Sequence, residues 1–101
     1  MTIDKFVYEN NKYVDIAIEG RFDFSFHQQF RDAYSDCEVR GTTFTLKLAR
    51  TSYMDSSALG MILLLKDHAD KLGGKVVINQ PNDTVKKILQ IAQFHRLFTI
   101  E

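Results

Sequence analysis

The sequence predicts an α/β fold: one domain spanning residues 1–101, with a mixed, mostly parallel four- to five-stranded sheet. An antiparallel N-terminal edge strand borders that sheet, and helices pack on it. Three observations predict this. Short β-rich runs alternate with apolar stripes of helical spacing, in the order β-β-α-β-α-β-α with a possible final strand, and such alternation requires right-handed crossovers and parallel pairing. The first two β runs are separated only by the polar turn Glu9-Asn10-Asn11-Lys12, so they join as a hairpin. Finally, 101 residues of which 45% are apolar suffice for a single core, and no linker, repeat or low-complexity segment divides them.

The elements follow in order. Phe6-Val7-Tyr8 and Tyr13 to Ile18 form the hairpin, with Val14, Ile16 and Ile18 on one face by period-two alternation. Gly20-Arg21-Phe22-Asp23 breaks that pattern. Ser25 and Gln28 have the spacing of a capping box, and Phe26, Phe30, Ala33, Tyr34 and Cys37 follow at helical intervals. Thr43 to Leu48 is a strand with Phe44, Leu46 and Leu48 facing one way. A helix then runs to about Leu72 and stops at Gly73-Gly74, where glycine allows the left-handed turn. Lys75 to Ile78 is a short buried strand. Pro81 and Asn82 make a loop, and Asp83 is placed to cap a helix carrying Val85, Ile88, Leu89 and Ala92. Leu97 to Ile100 is either an edge strand or a helical end.

Charge and composition exclude several classes. The 13 basic and 13 acidic side chains cancel, so net charge gives no support to a nucleic-acid partner. The apolar run Met61 to Leu65 is too short to cross a membrane, and the N-terminus lacks the pattern of a signal peptide. A single cysteine, Cys37, excludes an internal disulfide and fits a reducing, cytoplasmic setting; its place on an apolar stripe favours packing over reactivity. No Gly-x-Ser-x-Gly elbow frames a serine nucleophile. His27, His68 and His95 are scattered without metal-ligand spacing. Gly73-Gly74-Lys75 is not a phosphate loop, because the rest of that motif is missing. The expectation is a protein that is not an enzyme, with no cofactor and no metal.

The informative stretch is Thr51-Ser52-Tyr53-Met54-Asp55-Ser56-Ser57-Ala58-Leu59-Gly60. Rotation by about 100° per residue places Ala58, Leu59, Ile62, Leu65, Ala69 and Leu72 on a stripe facing the sheet. The opposite side carries Ser56, Gly60, Leu64, Asp67 and Lys71, with Ser57 and Met61 on its flank. Gly60, Met61 and Leu64 beside two serines make a small patch suited to a docking partner. Asp55 and Ser56 are both good N-caps, but one cap satisfies a helix end. A phosphate on a serine here would be sheltered by the helix dipole while reversing the character of the patch.

In context, Tyr53-Met54-Asp55-Ser56-Ser57-Ala58-Leu59-Gly60, after a strand and opening a helix, resembles the signature of STAS domains, and in particular that of the bacterial anti-sigma-factor antagonists. Gly20-Arg21-Phe22-Asp23 is similar to the first loop of that family, and Gly73-Gly74 before a valine-rich strand also fits. Ala58 stands where the family often has glycine. The resemblance implies partner switching. The unphosphorylated form binds an anti-sigma factor or equivalent regulator; a serine kinase modifies Ser56, and a phosphatase reverses it. It further implies that Asp23 and Asp55 shape the site, with Ser57 a neighbouring cap. The expected partner-binding set is therefore Asp23, Asp55, Ser57, Gly60, Met61 and Leu64, on a monomer that engages neither nucleic acid nor membrane.

A second reading keeps the fold without the switch, as a STAS subunit docked permanently on an ABC transporter ATPase. Two consecutive serines favour switching over it. A small enzyme using Ser57 or Asp55 is the weakest alternative.

Overall fold

The expected N-terminal hairpin is formed by β1 (Thr2–Tyr8) and β2 (Tyr13–Phe22), in a computed structural model that describes residues 2–101. Its turn is made by Glu9, Asn10 and Asn11, all at positive φ, a conformation that asparagine tolerates better than most residues. β1 starts earlier than the apolar run at Phe6 indicated. It is an outer strand paired antiparallel along its length with β2, and its polar Thr2, Asp4 and Lys5 carry no burial pattern to read.

β2 buries Val14, Ile16 and Ile18 on one face, as expected. The sequence break expected at Gly20 is only a bulge. Gly20 takes φ +92°, the register shifts by one step, and the strand continues through Arg21 to Phe22. β3 (Thr43–Lys47) lies parallel to β2 and to β5 (Lys75–Asn79). After β3 the chain jogs and resumes as β4 (Thr51–Met54), parallel to the end of β2. The sequence reading missed β4, whose buried ends Thr51 and Met54 flank two exposed residues and so break alternation. The Thr51 hydroxyl donates to the Ile18 carbonyl at 2.7 Å, and the Asn82 side-chain amide donates to the Thr51 carbonyl at 2.7 Å, anchoring this strand on both sides. With β6 (Thr99–Ile100) the described residues form a six-stranded sheet, in the order β1-β2-β3-β5-β6 with β4 against β2. All pairings except β1–β2 are parallel.

Three helices cover the face bearing Ile16, Ile18, Phe44, Leu46 and Ile78, and the core lies between. A single 3-10 turn (Phe24–Phe26) leads into α1 (His27–Tyr34). The Ser25–Gln28 capping box does not form. Asp23, at the end of β2, accepts from the Ser25 N–H at 3.0 Å, while the Gln28 amide turns to Asp32 at 2.8 Å. Cys37 is buried as expected but lies beyond the end of α1, with its Sγ 3.6 Å from the Thr42 hydroxyl.

α2 (Ser56–Lys71) buries Ala58, Ile62, Leu65 and Ala69, with Leu59 and Leu72 at the margin of the core. It ends in a Schellman turn: the Gly74 N–H reaches Ala69 O at 2.9 Å and the Gly73 N–H reaches Asp70 O at 3.0 Å. The cap of α3 (Asp83–Ile91) is Asn82 rather than Asp83. Asn82 is already tethered to Thr51, which aims its Oδ1 at the Val85 N–H, 2.9 Å away.

Candidate functional site

The site is built by two parallel strand ends. β2 and β4 are in register at Phe22 and Met54, and the Asp55 N–H reaches the Phe22 carbonyl at 3.4 Å. The residue that follows each strand is an aspartate, so Asp23 and Asp55 stand side by side at the carboxyl edge of the sheet. Each begins a helical segment in the same way. Asp23 accepts from the Ser25 hydroxyl and N–H, and Asp55 accepts from the Ser57 hydroxyl and from the Ala58 N–H at 3.1 Å. The pattern Asp-x-Ser thus occurs twice with the same serine-hydroxyl-to-carboxylate bond, in Asp23-Phe24-Ser25 and Asp55-Ser56-Ser57, while the capped N–H is that of Ser25 in the first and of Ala58 in the second. That repeat was readable in the sequence, and it marks Ser25 as the counterpart of Ser57.

This geometry divides the roles of the two serines at the mouth of α2. Ser57 is half-buried and bound to Asp55. Ser56 is exposed, and among the described residues its hydroxyl has no protein hydrogen-bond partner. The cap function is filled by Asp55, whose carboxyl is held below its ordinary range. The Ser57 hydroxyl is the main cause, and slight burial opposes it; the first-turn N–H groups and the charge of Arg21 act in the same direction as Ser57.

From Ser56 the exposed side of α2 continues through Gly60 to Leu64, which is 54% exposed. A side chain added at Gly60 would meet no atom within 4 Å, so packing does not require glycine there. Met61 departs from its expected place on the accessible flank. It is 4% exposed and lines a groove of about 410 Å³ between α1 and α2, beside Phe30, Tyr34 and Leu64. The cause is α1, whose packing on α2 covers a flank that helix periodicity alone leaves open.

Sequence reasoning assigned no site role to Arg21, Tyr53 or Phe24, three residues at this edge. Arg21 lies opposite Tyr53 in the β2–β4 register, with its guanidinium carbon 4.6 Å from the Tyr53 ring centre and its Nε 3.6 Å from Asp23. Phe24 is 65% exposed and stacks on His27 at 5.0 Å. The Arg–Tyr pairing needs the register between β2 and β4, which no local pattern reveals.

A family model described as the STAS domain matches residues 5–101. The chain belongs to the STAS domain family. A STAS-domain containing protein of Pseudomonas aeruginosa strain UCBPP-PA14 is 45% identical over 85 residues, covering 84% of each chain. An anti-sigma F factor antagonist of Lysinibacillus sphaericus is 28% identical over 81 residues, 78% of this chain and 69% of the relative. Among solved structures, the anti-sigma factor antagonist SpoIIAA in its unphosphorylated form superposes with a TM-score of 0.84 at 22% identity, over 99% of this chain and 88% of that one, a likeness of fold. This STAS domain has no helix among the described residues long and apolar enough to span a membrane. Nor do those residues hold three or more histidine, cysteine or acidic side chains grouped as a metal site.

Proposed function

We propose that this STAS domain is a phosphorylation-controlled antagonist that sequesters an anti-sigma factor or equivalent regulator and releases it when Ser56 is phosphorylated. The observation that carries the reading is the exposed Ser56 hydroxyl, without a protein hydrogen bond, beside a cap already completed by Asp55. The likeness to an anti-sigma F factor antagonist supports the class of partner. Docking uses Ser56, Gly60 and Leu64, with Asp23, Asp55 and Ser57 holding the mouth of α2 in shape and Met61 flooring the adjoining groove. A kinase adds the phosphate and a phosphatase removes it.

The physics of release is electrostatic. A phosphoserine adds about −1.5 to −2 charges where an apolar and small-residue patch would meet its partner. Desolvating that charge unpaired, or setting it against a like charge, costs several kcal/mol, and about 1.4 kcal/mol is tenfold in affinity. The α2 N-terminus stabilises the anion, so the fold persists while the interface fails.

The test is a pull-down from the native cell with wild-type, Ser56→Ala and phosphoserine-56 baits, together with mass spectrometry of the chain treated with its kinase and ATP. The regulator is expected on the first two baits and absent from the third, with phosphate mapped to Ser56. Equal recovery on all three, or phosphate mapped elsewhere, would overturn the proposal. A stoichiometric ATPase retained on every bait would establish the transporter-subunit reading in its place.

A further inference from the structure

Among the described residues, Arg21 is the one cation that the β2–β4 register brings to the mouth of α2, and three features define its setting. Its guanidinium carbon lies 4.6 Å from the Tyr53 ring centre, its contact with Asp23 is a loose 3.6 Å, and its side chain is 57% exposed. Neither contact is the bidentate, short-range pairing that immobilises an arginine against a carboxylate. Tyr53, on β4, lies two residues before Asp55, the N-cap of α2, whose carboxyl the charge of Arg21 helps to hold down. Three residues of chain separate Tyr53 from Ser56, at most about 10 Å when extended. An arginine side chain and a phosphoserine together reach roughly that far. Arg21 is therefore held on two weak contacts, across the β2–β4 register from a residue three positions before Ser56.

We infer that Arg21 is the positioning residue for the phosphorylated state: it leaves Tyr53 and Asp23 and pairs with the phosphate on Ser56. This rests on Ser56 being the modified residue. A guanidinium favours a phosphate dianion, which offers more charge and better fork geometry than a single carboxylate oxygen. The capture changes the docking surface twice at once. It adds an anion at Ser56, and it withdraws the cation that the unphosphorylated surface presents above Tyr53. A partner that places an acidic side chain on Arg21 loses that contact on phosphorylation.

The test uses the full chain with phosphoserine encoded at position 56, so that no kinase is required. The second ionisation of the phosphate is followed by ³¹P NMR, which a merely structural role for Arg21 would not move. In the wild-type background the phosphate should titrate lower than in Arg21→Gln, by roughly half a unit for an exposed pair. The difference should collapse in about 1 M salt. Tyr53→Leu, which removes the ring but keeps the cation, should retain the lowered value and controls for disturbance of β4. The Tyr53 ring resonances should shift on phosphorylation of the wild type and stay in place in Arg21→Gln. Identical phosphate titrations in wild type and Arg21→Gln, with both variants folded by their amide spectra, would overturn the inference. Loss of partner release at Ser56 together with an intact titration difference would instead defeat only the functional proposal above.

Discussion

At the scale of single residues, the site depends on which polar group is already occupied. Asp55 is engaged by the Ser57 hydroxyl and the Ala58 N–H, and this engagement leaves Ser56 unencumbered. The same engagement has a measurable acid signature. The folded carboxyl titrates below its ordinary range, so the unfolded chain takes up its proton at the higher pH. Its contribution to stability is complete above the ordinary aspartate value of about 3.9 and disappears as pH falls through the folded value. Asp55→Asn preserves a capping oxygen but not the titration. Urea unfolding of this variant, followed from about pH 6 to about pH 2.5, should therefore fall less steeply at the acid end than wild type. Gly60 offers a second check, because nothing in the fold opposes a methyl group there. Gly60→Ala should raise stability by about 0.5–1 kcal/mol in thermal or urea unfolding, through helix propensity alone. Partner affinity should drop if the glycine serves close approach, which binding of the purified regulator would measure.

At the scale of elements, the ends of α2 are built by different devices and show different tolerance. Its start is an aspartate cap after a strand end, and its finish is a glycine turn pressed against Thr42, the residue before β3. A Cβ placed on Gly74 would lie 2.0 Å from the Thr42 carbonyl oxygen, a backbone atom that cannot rotate away. Gly74→Ala should cost on the order of 3 kcal/mol, read as a lowered urea midpoint. The sequence announced this stop plainly. The other end was only half legible. Asp55, Ser56 and Ser57 all qualify as caps by type, and choosing among them required the hydrogen bonds. β4 was not legible at all, because its partner is the distal part of β2, reached through a jog after Leu48 and a bulge at Gly20. Period-two reasoning fails where a strand is interrupted and resumes along the same neighbour. The choice of Asn82 over Asp83 to cap α3 has a similar cause: the tether to Thr51 spans distant sequence.

At the scale of the whole molecule, the parallel arrangement of β2 and β4 sends two loops out of the same sheet edge, and the candidate site is where they meet. Because a phosphate on Ser56 would sit outside the core and against a favourable helix terminus, modification should alter recognition without altering the fold. Phosphoserine at position 56 is expected to change unfolding stability by less than about 1 kcal/mol, within the range of surface dipole and charge effects. Calorimetry and denaturant unfolding of the two forms would check this, and a large destabilisation would point to a conformational switch instead.

By itself the sequence determined the class of fold, the apolar face of each helix, the glycine stop of α2 and the exposed Ser56–Gly60–Leu64 side, because all of these are local periodicities or local backbone preferences. It also carried the family motif. Only the tertiary structure decided that Met61 is covered by α1, that Asp23 and Asp55 are neighbours, and that Arg21 overlies Tyr53. Those facts depend on strand register and helix packing between segments some thirty residues apart, and such long-range pairings leave no periodic trace in the chain.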